Sequence, residues 1–187
     1  MELNHFAKKL KKGTAALLVI DIQEKILPVI NESQRVVENS LKLVKAFKQM
    51  ELPVFYTEQY PKGLGSTEES IKAALGEYEA FQKMTFSCIG AENLFSIFKK
   101  KHIEQIVVCG VEAHVCVQQT VLDLLANKFQ VNVAVDAISS RKIIDAETAI
   151  RRMQNHGAEI TTTEAAIFEL LNLSGTEEFK AISKIVK

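Results

Sequence analysis

Six apolar residues in a row, Ala15-Ala16-Leu17-Leu18-Val19-Ile20, constrain this chain more than any other feature, together with a second run, Ile106-Val107-Val108-Cys109. A strand with one wet face alternates polar and apolar residues. A strand that is apolar throughout is buried on both faces, the usual state in a parallel sheet covered by helices on each side. Four further segments read as strands: Val54-Phe55-Tyr56-Thr57, Ala80-Phe81-Gln82, Val131-Asn132-Val133-Ala134-Val135-Asp136 and Glu159-Ile160-Thr161-Thr162-Thr163. Helical spacing lies between them, as in Val36, Val37, Leu41, Leu43, Val44 and Phe47, in residues 94–101, after Val117, and in 145–156. Ser33 and Asp145 are read as helix caps, and Pro53 and Gly157 as stops. Two helices, 164–171 and 176–186, close the chain. The alternation predicts an α/β three-layer sandwich: a six-stranded parallel sheet with helices on both faces and right-handed crossovers, in a single domain over residues 1–187.

The totals bound the partners. A chain of 187 residues buries roughly 70% of its unfolded surface as one domain. Lys plus Arg equals Asp plus Glu, at 23 each, and a neutral balance argues against the basic stripe that nucleic acid or a membrane surface requires. Three cysteines, Cys88, Cys109 and Cys116, form no CxxC pair, which suggests reduced thiols in a cytoplasm. Lys8, Lys9, Lys11 and Lys12 give residues 1–13 a basic character. The apolar run that follows is too short for a leader and ends in Asp21, so no targeting signal is read. No stretch approaches the ~20 apolar residues of a membrane helix.

Three chemistry-bearing residues each follow a strand: Asp21 after residues 15–20, Lys83 after 80–82, and Cys116 in the turn after 105–109. In a parallel sheet such positions share the carboxyl edge, where α/β folds place their sites. Cys116 falls at the first turn of a helix, whose free N–H groups stabilise a thiolate or a developing oxyanion. A carboxylate can take the thiol proton, and a nearby ammonium lowers the thiol pKa. The plainer readings are a turn cap for Asp21, a solvated surface group for Lys83 and a small core residue for Cys116, as for Cys109 and Cys88. Gly63 and Gly65 follow Lys62 and lack a third glycine, a weak phosphate-loop signal. Asp136 reads as a turn anchor for its own loop.

These residues carry a resemblance. Val19-Ile20-Asp21-Ile22-Gln23, Lys83-Met84-Thr85-Phe86-Ser87 and Gly110-Val111-Glu112-Ala113-His114-Val115-Cys116-Val117 look like the three signature segments of the isochorismatase-like cysteine hydrolases, closest to the isochorismatase domain-containing subgroup. Thr57-Glu58-Gln59-Tyr60-Pro61-Lys62-Gly63-Leu64-Gly65 and Asp136-Ala137-Ile138-Ser139-Ser140-Arg141 resemble that subgroup as well. The likeness runs from about residue 14 to about 171.

The resemblance implies a sheet in the order 3-2-1-4-5-6 and an Asp–Lys–Cys catalytic triad at Asp21, Lys83 and Cys116. It also implies a non-proline cis peptide before Glu112, with the N–H groups of Glu112 and Cys116 as oxyanion hole. In that order the third strand lies about 9–10 Å from the first, so Lys83 has to stand beyond its strand end and reach sideways. Gln23, Gln59, Tyr60, Phe86 and His114 are the expected pocket residues. Nicotinamidases of the superfamily carry Asp and His metal ligands after the second strand. The matching segment, Glu58-Gln59-Tyr60-Pro61, has no histidine, and His5, His102, His114 and His156 are scattered. The expectation is no metal and no cofactor. Enzymes that hydrolyse isochorismate lack the nucleophilic cysteine, so Cys116 argues against the activity in the family's name.

The expected function is a metal-independent cysteine hydrolase acting on a small amide or related C–N bond through a thioester. Its partner is a small-molecule substrate, and its expected assembly is a homo-oligomer. The rival is a non-catalytic oligomeric scaffold or thiol-regulated binding protein on the same fold. The last helix, with Phe179, Ile182, Ile185 and Val186, fits either a subunit interface or packing on its own domain.

Overall fold

A computed structural model describes residues 9–187; His5 and Lys8 lie outside the described residues. Six strands, β1 (Ala15–Ile20), β2 (Val54–Gln59), β3 (Phe81–Lys83), β4 (Gln105–Val111), β5 (Gln130–Ser139) and β6 (Glu159–Thr161), form one parallel sheet. Their order is β3-β2-β1-β4-β5-β6. Every residue of β1 and β4 is buried, as their unbroken apolar runs require.

The pleat of β1 divides the core in two. Leu17 and Val19 face α1 (Ser33–Gln49), α7 (Thr163–Leu171) and α8 (Glu177–Val186) through Leu43, Phe47, Ile167 and Ile182. Ala16, Leu18 and Ile20 share the opposite cluster with Phe98, Leu124 and Met153. These three come from α4 (Leu94–Lys100), α5 (Gln118–Ala126) and α6 (Ile143–Asn155). Phe98 meets Phe55 edge-on at 4.9 Å between ring centroids and Phe129 at 5.8 Å. The stripe of α8 is used within the domain: Ile182 is fully buried, and Phe179 packs on Phe168 at 6.2 Å. Among the described residues no helix is long and apolar enough to cross a membrane.

Strand ends differ from the apolar pattern because ladder partners continue where apolar residues stop. Gln59 pairs with Lys83, and Gly110 and Val111 pair with Ile138 and Ser139. Lys83 is therefore the last residue of β3 rather than the residue after it. Gly110 is likewise inside β4 and not a turn. Its φ is +130°, and a Cβ there would stand 2.1 Å from the Ile20 carbonyl oxygen, so only glycine lets β4 run this close to β1.

Two caps also differ. Glu32, left-handed at φ 50°, precedes α1, and Ser33 is its first residue. Asp145 lies in the first turn of α6, behind Lys142. Asp136 anchors a different element from the one expected. Its Oδ1 accepts the N–H and hydroxyl of Thr163 at 2.8 and 3.0 Å, tying β5 to the start of α7. The segment after β2 folds through a helical turn, α2 (Pro61–Leu64), before α3 (Glu69–Leu75). Glu58 closes it by accepting the N–H and hydroxyl of Thr67.

Candidate active site

Strand register brings the polar groups together. Ile20 pairs with Thr57, and Thr57 with Phe81, so Lys83 stands two residues beyond the level where β1 ends. Its side chain crosses the end of β2 and places Nζ 2.6 Å from Asp21 Oδ2. Asp21 follows β1 in the left-handed region, at φ 52°. The lysine side chain has no exposed surface. An ammonium has three N–H groups, and four acceptors surround it: Asp21 Oδ2, Gln59 Oε1 and Phe86 O at 2.9 Å, and Thr85 O at 3.3 Å. Lys83 thus fixes both the carboxylate and the 85–86 backbone, with no N–H left for a ligand. Burial works most strongly against the ammonium, but the Asp21 charge and hydrogen bond, together with Cys88 and Cys116, outweigh it and hold Lys83 above the ordinary lysine value.

Cys116 lies in a wide π-type turn, Ala113–Val117, in which Val117 N–H donates to Glu112 O, 3.2 Å away. The turn precedes α5, so the cysteine is not in the first turn of an ordinary α-helix. Cys116 is 6% exposed, and its thiol feels the charge of the nearby Asp21 carboxylate. Burial, then the Asp21 charge, push the thiol well above its usual range; Lys83 opposes this and is outweighed. The expected resting thiolate is therefore corrected to a neutral thiol. The reason is burial first, and then the Asp21 charge, which outweighs the opposing Lys83 ammonium at the sulfur.

The peptide bond between Val111 and Glu112 is cis. The Glu112 carboxylate accepts the Arg141 N–H and Nε–H, each at 3.0 Å. This joins the ends of β4 and β5 beside the cysteine turn.

The other expected pocket residues divide. Gln23 is fully buried; its amide donates to Gln59 O and Gly65 O and accepts Gln59 N–H. It therefore braces the loop after β2 and does not line a pocket, because its amide is committed to backbone. Gln59 holds Lys83 Nζ and donates to Met84 O at 2.9 Å. Tyr60 and Phe86 are 47% and 54% exposed and flank this group through backbone bonds to Lys83. His114 Nδ1 lies 2.9 Å from Ser140 Oγ. Among the described residues no group of three or more His, Cys, Asp or Glu is arranged to hold a metal ion.

Sequence reasoning gave no role to Thr57, whose hydroxyl donates to Asp21 Oδ1 at 2.7 Å, or to Arg141. A threonine in a β-branched strand carries no distinguishing pattern, and an arginine in a loop reads as surface. Two open clefts of about 710 Å³ lie at the opposite, amino edge of the sheet and hold none of these groups.

This sheet order, with a thiol, a carboxylate and an ammonium gathered at its carboxyl edge, defines an isochorismatase-like α/β hydrolase fold. The chain belongs to the isochorismatase family: the Isochorismatase domain matches residues 15–165. It is 37% identical over 183 residues to Isochorismatase family protein 1B of Dictyostelium discoideum, covering 96% of this chain and 89% of that protein. It is 34% identical to Isochorismatase domain-containing protein 2 of Xenopus laevis, covering 95% and 86%. Among solved structures, the MAR1 ribonuclease of Caenorhabditis elegans superposes with a TM-score of 0.90 at 36% identity, covering 96% and 92%.

Proposed function

We propose that the protein is a metal-independent cysteine hydrolase that cleaves a small amide or related C–N bond through a thioester. The observation that carries this reading is one carboxylate, Asp21, bonded to the Lys83 ammonium and acting through its charge on the nearby Cys116 thiol. Asp21 accepts the thiol proton as Cys116 Sγ attacks the substrate carbonyl carbon. The N–H groups of Glu112 and Cys116 receive the oxyanion. The C–N bond then breaks, and Asp21 returns the proton to the departing nitrogen. Water, deprotonated by Asp21, adds to the thioester carbonyl; the C–S bond breaks, the acid leaves, and Asp21 returns the proton to Sγ. Lys83 acts through Asp21, since its N–H groups are already bound. A thiol that ionises only as substrate arrives suits an enzyme that has to stay unreactive when empty.

Tyr60, Phe86 and His114 border the substrate in this reading. The absence of histidine from residues 58–61 supports a reaction without metal. Three free, buried thiols support a reducing, cytoplasmic setting. Exposed Met84, Phe86, Ile143 and Ile144 support assembly into a homo-oligomer.

Screening an amide library against wild type and Cys116→Ala tests the reading. Turnover that falls at least about a thousand-fold in the variant is expected, together with a thioester adduct seen by mass spectrometry. Turnover that survives in Cys116→Ala refutes it. The similarity to MAR1 ribonuclease favours a second reading, cleavage of RNA, so single-stranded RNA belongs in the same screen; loss of RNA cleavage in Cys116→Ala without any amide turnover would select it.

A further inference from the structure

We infer that Thr57, backed by the buried thiol of Cys88, is a positioning residue that holds the Asp21 carboxylate in the orientation from which it serves Cys116. This rests on Asp21 acting as proton acceptor. Thr57 is the β2 residue beside Ile20, and it is almost wholly buried. Its hydroxyl donates to Asp21 Oδ1 at 2.7 Å, while Lys83 takes Oδ2 at 2.6 Å. One oxygen is held from β2 and the other from β3. A carboxylate gripped at both oxygens cannot rotate about its Cβ–Cγ bond without breaking a buried hydrogen bond. The site thus gains a fixed acceptor, where Lys83 alone would leave a hinge.

The direction of the chain behind Asp21 follows from proton counting. A hydroxyl has one proton, and that of Thr57 goes to Asp21. Cys88 Sγ lies 3.8 Å from the same oxygen, so the thiol is the donor: Cys88 S–H to Thr57 Oγ1, Thr57 O–H to Asp21 Oδ1. Burial pushes the Cys88 thiol up to about 12, which keeps that proton in place. Cys88 is itself braced against the turn of the other cysteine. Its N–H donates to Thr120 Oγ1 at 3.0 Å, and Thr120 donates to Cys116 O at 2.7 Å. Cys88, read from sequence as a small core residue, thus acquires a role.

The titratable groups facing Asp21 are Lys83 of β3, Cys116 of the π-type turn and Cys88 after β3. Losing the Thr57 donor removes one of the two bonds that hold the carboxylate oxygens. The probe is the ¹³C signal of the Asp21 carboxyl at pH 7, assigned by difference from Asp21→Asn, which reports the hydrogen bonds that the carboxylate accepts. Thr57→Val is expected to shift that signal, Thr57→Ser to restore it, and Cys88→Ala to shift it by less. Against whichever amide the library yields, Thr57→Val lowers kcat about tenfold with KM unchanged, because Thr57 lies behind Asp21. Thermal unfolding of each variant separates these effects from loss of fold. An Asp21 carboxyl signal that ignores Thr57→Val overturns the inference, and one that ignores Cys88→Ala removes the thiol from it. A library with no turnover would sink the hydrolase reading and leave the carboxyl signal to decide this one.

Discussion

Asp21 is the residue on which three others converge, and its charge has two opposite consequences. It holds Lys83 as an ammonium and keeps Cys116 as a thiol. Replacing it with asparagine removes the second cause of the raised thiol, after burial. Asp21→Asn is therefore expected to alkylate at Cys116 about tenfold faster or more at pH 7, measured with iodoacetamide and peptide mass spectrometry. Equal labelling would show that Asp21 does not govern the sulfur, and slower labelling that its loss as proton acceptor outweighs the loss of its charge. Asp21, Lys83 and Cys116 were legible because each sits where an apolar run gives way to polar chain. Thr57 and Gln59 were not legible in these roles: what distinguishes them is which atom they face across neighbouring strands, and a one-dimensional pattern does not record that.

At the level of elements, the close passage of β1 and β4 carries the site. Asp21 leaves the end of one strand, and the cysteine turn begins three residues after the paired Gly110 of the other. A side chain at position 110 meets the Ile20 carbonyl and a φ of +130° at once. Gly110→Ala is expected to cost roughly 2–5 kcal/mol in urea denaturation and to move the cysteine turn away from Asp21. A variant as stable as wild type would mean that the two strands separate without penalty. Sequence reading placed this glycine in a turn because glycine usually marks one. The ladder to Ile138 and Val111 with Ser139 shows that the strand continues.

Across the whole molecule, three thiols are buried and all ionise harder than free cysteine, with Cys88 and Cys109 raised to about 12. An unfolded thiol releases its proton near 8.5, whereas the folded protein retains it. Above that pH the native state binds more protons than the unfolded state, so stability falls as pH rises. The stabilisation is complete below about pH 8.5 and declines by up to about 1.4 kcal/mol per pH unit for each thiol. The raised Lys83 adds loss in the same direction above its own unfolded value. Unfolding midpoints measured from pH 7 to 11 should drop steeply beyond 8.5, and Cys109→Ala should flatten the slope. A flat profile would place the thiols in contact with solvent.

The sequence by itself determined the layers: unbroken apolar strands and periodic helices admit few arrangements, and the polar residues at strand ends mark the edge where chemistry collects. Tertiary structure alone decided the register that carries Lys83 across β2 and the packing that uses the stripe of α8 inside the domain. It also decided the protonation of Cys116. Burial and charge act through space, and their balance depends on distances of a few ångströms between residues far apart in the chain.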